Sequence, residues 1–201
     1  MPVFRDIAIK IDPRRIIKRL GHRKGMEIGE NLIEKIHENI RIAYSLIEPA
    51  LAMQTIEILE KSKNKLVCEK DFVIGGEKIA EFMKNSQMIT LYAATIGPEL
   101  ESYQAKQESG LDKLLLDIIG SEATEQIARW FNRNLKTEAK RMGFSLTKRR
   151  SPGYMDFELS IQKSLVKISG GDEIGIEVNQ KHFLIPRKST TGIIGWIEKG
   201  K

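Results

Sequence analysis

Arg149, Gly153 and Tyr154 stand within the stretch TKRRSPGYMDF, residues 147–157, and their types and spacing point to ligand chemistry. An arginine offers a planar fork of donors that matches a carboxylate. A glycine lets backbone approach a ligand closely. A tyrosine beside it can stack or donate a hydrogen bond. Ser151-Pro152-Gly153-Tyr154 has proline second and glycine third, the pattern of a type II turn. The residues alone leave two readings open, a turn that happens to be cationic and a backbone cradle for an anion. The turn closes a basic block: Arg129, Arg133, Lys136, Lys140, Arg141, Lys148, Arg149 and Arg150 face only Glu138. Such a block suits an acidic protein, a nucleic acid or a carboxylate ligand, or is simply a solvated helix face.

Other chemistries find little support. His22, His37 and His182 are scattered and lack zinc-ligand spacing, and Cys68 is the single cysteine, so no metal site and no internal disulfide are expected. No Ser-His-acid order or nucleophile elbow is present, and no catalytic residue is assigned. VIGGEK lacks the spacing of a phosphate loop, and ATIGPELE lacks a dinucleotide fingerprint. Trp130 and Phe131 share helical spacing with Ile127 and Leu135 and read as core. No nucleic-acid-binding motif accompanies the charge.

The elements that must hold this turn follow from punctuation and periodicity. Asp12 and Pro13 cap and open a short helix that Gly21 stops. Leu32, Ile33, Ile36, Ile40, Ala43, Leu46 and Ile47 line one face of a second helix, ended or kinked by Pro49. TIEILE alternates like a strand, DFVIGG ends another, and a short helix runs on through Met83. QMITLYAATIG, apolar on both faces, reads as a central strand. Pro98 opens a helix broken near Gly110. A long helix over about 112–142 carries Leu114, Ile118, Ile119, Ala123, Ile127, Trp130, Phe131, Leu135 and Met142 on its apolar side, and Gly143 stops it. ELSIQKSLVKIS makes a short helix, and strands follow with turns at Asn179 and around Pro186. The expectation is one α+β domain with a mostly antiparallel, twisted sheet, flanking helices and a C-terminal β-hairpin. Residues 1–60 read as an N-terminal helical segment packed on a main domain of 61–201. No apolar run nears the roughly 20 residues that span a bilayer, and the first residues carry charge early, so a cytoplasmic protein is expected.

RRSPGY resembles the S-adenosylmethionine-binding signature of the reactivation domain of cobalamin-dependent methionine synthase. IGSEATEQIARWFNRNL is similar to that family's long helix, with Glu125 at the position of its ligand-contacting glutamate. FLIPRKSTTGIIGW is similar to its C-terminal hairpin through Pro186, Ser189 and Gly192, and ATIGPELE to the segment before the long helix. The resemblance runs from about Asp71 to Trp196, so that 61–201 is identified as a methionine synthase activation-like domain. The family's N-terminal aspartate has no matching context around Asp6 or Asp12, and the synthase's zinc, folate and cobalamin modules are absent.

The resemblance implies a free-standing reactivation subunit that binds S-adenosylmethionine and supports reductive methylation of an inactive cob(II)alamin on a separate methionine synthase or corrinoid protein. Cobalamin would be met only through that partner. Arg149 would pair with the methionyl carboxylate, Ser151, Pro152 and Gly153 would meet ligand polar groups through backbone, Tyr154 would pack or hydrogen-bond, and Glu125 would take the amino group or a ribose hydroxyl. Lys148 and Arg150 would serve docking, including that of a flavodoxin- or ferredoxin-type electron donor. Neither a nucleic acid nor a membrane is expected as partner. Two alternatives stand beside this: a corrinoid-protein escort without S-adenosylmethionine binding, and a basic nucleic-acid-binding protein.

Overall fold

The structure, a computed structural model, describes residues 2–22 and 28–199. After a short strand β1 (Val3–Phe4), the Asp12 carboxylate accepts from the Arg14 amide at 3.0 Å and starts α1 (Pro13–Arg19). Helix α2 (Glu30–Leu46) ends three residues before Pro49, and β2 (Ala50–Lys61) follows at once. A meander of β3 (Lys65–Cys68) and β4 (Phe72–Gly75) leads through Gly76 into α3 (Glu77–Met83) and β5 (Met88–Thr95). Gly97 and Pro98 turn the chain into α4 (Glu99–Ala105), and Ser109 caps the 32-residue α5 (Gly110–Arg141). Gly143, at φ +84°, ends it and passes into β6 (Phe144–Leu146). The cationic turn follows, then α6 (Gln162–Ser169), a small hairpin of β7 (Glu177–Val178) and β8 (Leu184–Ile185), and the long β9 (Ser189–Glu198).

One antiparallel sheet organises all of this, in the order β4-β3-β2-β5-β9-β6, with β1 paired to β2 as well. Both faces of its centre are covered, which is why β5 is apolar at almost every position. Tyr92 and Ala94 point to a core shared with α1, α2, α4 and α5, where Ile16, Ile36, Leu100, Ile119 and Phe131 pack. Ile89 and Leu91 alternate to the other face and meet Ile79 and Met83 of α3, Leu165 of α6, and Phe157 from the segment between the cationic turn and α6. The sequence-derived division at 60/61 falls within β2, a strand paired on both sides. Residues 1–60 therefore supply part of the sheet interior as well as α1 and α2.

The apolar stripe of α5 differs in detail from its sequence reading. The buried line is centred on Leu115, Ile119, Ala123 and Ile127, an i, i+4 series, so Leu114 falls at its margin and is exposed. Met142 lies beyond the helix end and is exposed too. Phe131 is buried against Tyr92 with ring centroids 5.1 Å apart, whereas Trp130 is half-buried, edge-on to Phe4. Among the described residues no helix is long and apolar enough to cross a membrane.

Candidate functional site

Beyond β6 the chain stays beside β9. The Thr147 amide donates to the Gly195 carbonyl at 2.9 Å, and Arg150 and Ile193 exchange both backbone bonds at 3.0 and 2.8 Å. Neighbouring side chains of an extended segment point to opposite faces, and that alternation separates the two arginines. Arg149 turns toward α5, where its Nη2 donates to Glu125 Oε1 at 2.6 Å. Arg150 turns to the α3 face, its guanidinium carbon 3.9 Å from the Phe82 ring centroid and its Nη1 donating to the Arg149 carbonyl at 3.0 Å. Two adjacent residues of equal charge thus have unlike surroundings.

Tyr92 supports Arg149 from below. Burial pushes the Tyr92 phenol above its ordinary pKa, against the pull of the Arg149 cation beside it. Burial likewise works against the Arg149 cation, but the Tyr92 and Glu125 oxygens outweigh it and hold the guanidinium above the usual arginine value. This arrangement needs Gly192. A Cβ there would stand 2.7 Å from the Arg150 carbonyl and 2.9 Å from the Tyr92 ring and hydroxyl.

The turn itself is pinned on three sides. Gly153 sits at φ +88°, and the Tyr154 amide donates to the Ser151 carbonyl at 3.3 Å, as a type II turn requires. Ser151 Oγ donates to the Thr191 carbonyl of β9 at 2.7 Å. Farther on, the Asp156 carboxylate accepts from the amides of Lys78 and Ile79 at 2.7 and 3.0 Å, at the first turn of α3. Those backbone donors, Lys78 first, hold the Asp156 carboxyl below its ordinary pKa. Gly76 is fitted to this clasp, since a Cβ there would lie 2.7 Å from the Asp156 carbonyl.

Between the turn, α5 and β9 opens a cleft of about 740 Å³. Arg149, Glu125, Ser151, Pro152 and Tyr154 line it, with Lys148 and Arg150 at its margin. Gly153 shapes the turn without lining the cleft. Lys148 is exposed, whereas Arg150 is half-buried on Phe82 and offers only part of its charge outward. Ser189 lies on the cleft wall and Gly192 beneath Arg149, while Pro186 belongs to an adjoining hollow of about 820 Å³ between α4 and the β7–β8 hairpin. Neither Asp6 nor Asp12 lines either space; Asp12 caps α1 and pairs with Arg14. Of the basic block, Arg129 turns inward to Glu122 at 2.6 Å, while Arg133, Lys136, Lys140 and Arg141 are exposed. Among the described residues no group of three or more His, Cys, Asp or Glu side chains is gathered in one place.

Sequence reasoning missed Tyr92, Thr191 and Gln162, which also line the cleft. Tyr92 carried a readable signal, the one aromatic hydroxyl within a largely apolar central strand. Thr191 and Gln162 carried none, because both become part of the cleft only through the docking of α6 on β9.

No protein-family model matches the chain, and no curated protein matches it in sequence. Among solved structures it is similar to the MetH reactivation domain bound to AdoHcy, at a TM-score of 0.69 and 12% identity, over 100% of this chain and 80% of that one. Likeness at this level of identity is one of architecture. The antiparallel sheet, the long α5 and the hairpin ahead of β9 are the fold of the MetH reactivation domain.

Proposed function

We propose that the chain binds S-adenosylmethionine in the Arg149 cleft and serves in the reactivation of a corrinoid protein. The observation that carries this reading is the Arg149–Glu125 pair on the cleft wall. A guanidinium beside a carboxylate is complementary to the two charges of an α-amino acid, its carboxylate to Arg149 and its ammonium to Glu125. The fold neighbour's ligand, AdoHcy, ends in such a group. The cleft's about 740 Å³ lies inside the range of roughly 300–1,000 Å³ common for small-ligand sites.

S-adenosylmethionine supplies a methyl group already activated on a positively charged sulfur, for delivery to reduced cobalt held by the partner. No residue of this chain is therefore assigned a proton transfer. Its residues bind and orient. Arg149 fixes the carboxylate, with Tyr92 and Glu125 limiting its rotamers. Backbone of Ser151, Pro152 and Gly153 offers polar contacts at close approach, and Tyr154, exposed at the rim, covers the ligand. The open mouth leaves the reacting end accessible to a second protein, and position is the main contribution such a site makes. Exposed Arg133, Lys136, Lys140 and Arg141 suit docking of an acidic flavodoxin- or ferredoxin-type donor.

One observation favours the escort reading instead. Arg149 is already paired with Glu125, so the pair can hold the turn without a ligand. Calorimetric titration with S-adenosylmethionine separates the two. Saturable binding of one equivalent that is lost in Arg149→Ala is the expected result. Absence of saturable heat at millimolar ligand would transfer the proposal to the escort.

A further inference from the structure

We infer that Gln162 reads the nucleoside half of the ligand and is the specificity-determining contact between the two hollows; the inference rests on the S-adenosylmethionine reading above. Gln162, the first residue of α6, is only 7% exposed, yet it lines both the Arg149 cleft and the adjoining hollow. Its Oε1 accepts from the hydroxyl of Thr191, itself buried on β9. That bond fixes the carboxamide plane and leaves Nε2 as the free end. Among the described residues Nε2 has no acceptor, and it keeps contact with solvent. The free donor meets solvent at the junction of the two hollows, where a ligand acceptor can take the place of water.

The surroundings select the chemistry that would meet this donor. A ligand whose amino-acid end lies on Arg149 and Glu125 must cross Gln162 to enter the second hollow. There Pro98, Leu184, Ile185 and Pro186 give one apolar wall, with Phe183 57% exposed on the hairpin, while Glu101, Ser102, Asn179 and Arg187 line the rest. A purine nucleoside fits such a space. It has flat apolar faces for the walls, and ring nitrogens and ribose oxygens that accept hydrogen bonds at its edge. A donor oriented at the junction, held in place by a second buried side chain, is how small-ligand sites fix orientation and reject analogues. Arg149 and Gln162 therefore divide the recognition, the first taking charge and the second taking the nucleoside edge.

The test uses the full chain, S-adenosylmethionine, and 5′-methylthioadenosine, which keeps the nucleoside and lacks the amino acid. Gln162→Glu retains size and an acceptor for Thr191 but replaces the free donor with an acceptor. Affinity for both ligands should fall roughly tenfold or more, the scale of one lost hydrogen bond to a ligand. Gln162→Met, neutral and of similar volume, should give the same loss, with thermal melts checking the fold of each. Arg149→Lys should weaken S-adenosylmethionine and spare methylthioadenosine. Unchanged affinity in both Gln162 variants, or no binding of methylthioadenosine to the unaltered chain at millimolar concentration, overturns the inference alone. If the unaltered chain binds neither ligand, the underlying reading fails and takes the inference with it.

Discussion

Glu122 and Glu125 lie within one turn of each other on α5, and they have opposite fates. Glu122 is 1% exposed and enclosed by cations: Arg129 at 2.6 Å, Arg19 at 3.4 Å and Arg15 at 3.6 Å, with Gln126 donating at 3.0 Å. Two of those arginines come from α1, so this carboxylate fastens the N-terminal helix to the core. Glu125 faces the cleft with a third of its side chain exposed and one cation, Arg149, as partner. A buried charge must be fully compensated before the protein can fold around it. A charge at a cleft can keep unused acceptor capacity for something else. Surplus capacity at the edge of a cavity, rather than charge itself, distinguishes the carboxylate proposed to hold ligand.

Removing Glu122 should give the largest effect. Glu122→Gln leaves Arg129 with its Nε already unpartnered and no anion for its charge. Breaking a buried pair costs roughly 3–5 kcal/mol, and the lower end applies because Arg15 and Arg19 are almost half exposed. Denaturant unfolding measures it. A loss below about 1 kcal/mol, the scale of an exposed pair, would dissolve the contrast. Glu125→Gln should stay within that smaller range for stability while weakening S-adenosylmethionine binding.

The two arginines sharpen the comparison from the cationic side. Arg149→Lys trades a fork for a point charge and should cost roughly 1–3 kcal/mol of S-adenosylmethionine affinity, the range for hydrogen bonds to charged groups. Arg150→Lys should change affinity by well under about 1 kcal/mol and show instead as lost packing on Phe82, worth about 0.5–1 kcal/mol of stability. Equal affinity losses in the two would mean that the cleft senses only net charge.

A third carboxylate gives the smallest effect. Asp156 is solvent-accessible, but its pKa is held below the model-peptide value of 3.8 by the amides of α3. A depressed folded-state pKa stabilises above the unfolded value and is lost as pH falls through the folded one. The clasp should therefore persist at neutral pH and through pH 4, then loosen below. Amide proton shifts of Lys78 and Ile79 should titrate with a midpoint under 3.8. A midpoint at or above that value would show that the clasp does not favour the ionised form.

Much of this was legible because local punctuation coincided with global structure. Asp12-Pro13, Gly97-Pro98 and Gly143 mark real boundaries, and the largely apolar run of β5 identified the strand with both faces covered. Arg149, Gly153 and Tyr154 were legible from spacing within a single turn. What was not legible depends on long-range register. Phe144–Leu146 is too short to display alternation and becomes a strand only by pairing with β9. The burial of Glu122 depends on where α1 docks, and Asp156 becomes a helix cap only because Gly76 lets α3 begin beneath it. Which of two adjacent arginines faces the cleft is set by pairing with Ile193, forty-odd residues away.

The placement of β9 also has a temporal consequence. It lies inside the sheet, between β5 and β6, and meets β5 across 94 residues at Ser189 and Thr95. During synthesis on a ribosome, everything up to α6 emerges while β5 still has an open edge and the cationic turn has no strand to lean on. Pairings this distant in sequence form late and slowly. Thr191, Gly192 and Ile193, on which Arg149 and its neighbours depend, arrive in that late strand. A nascent or truncated chain would thus lack the cleft, and the proposed ligand would find no site before the sheet is complete.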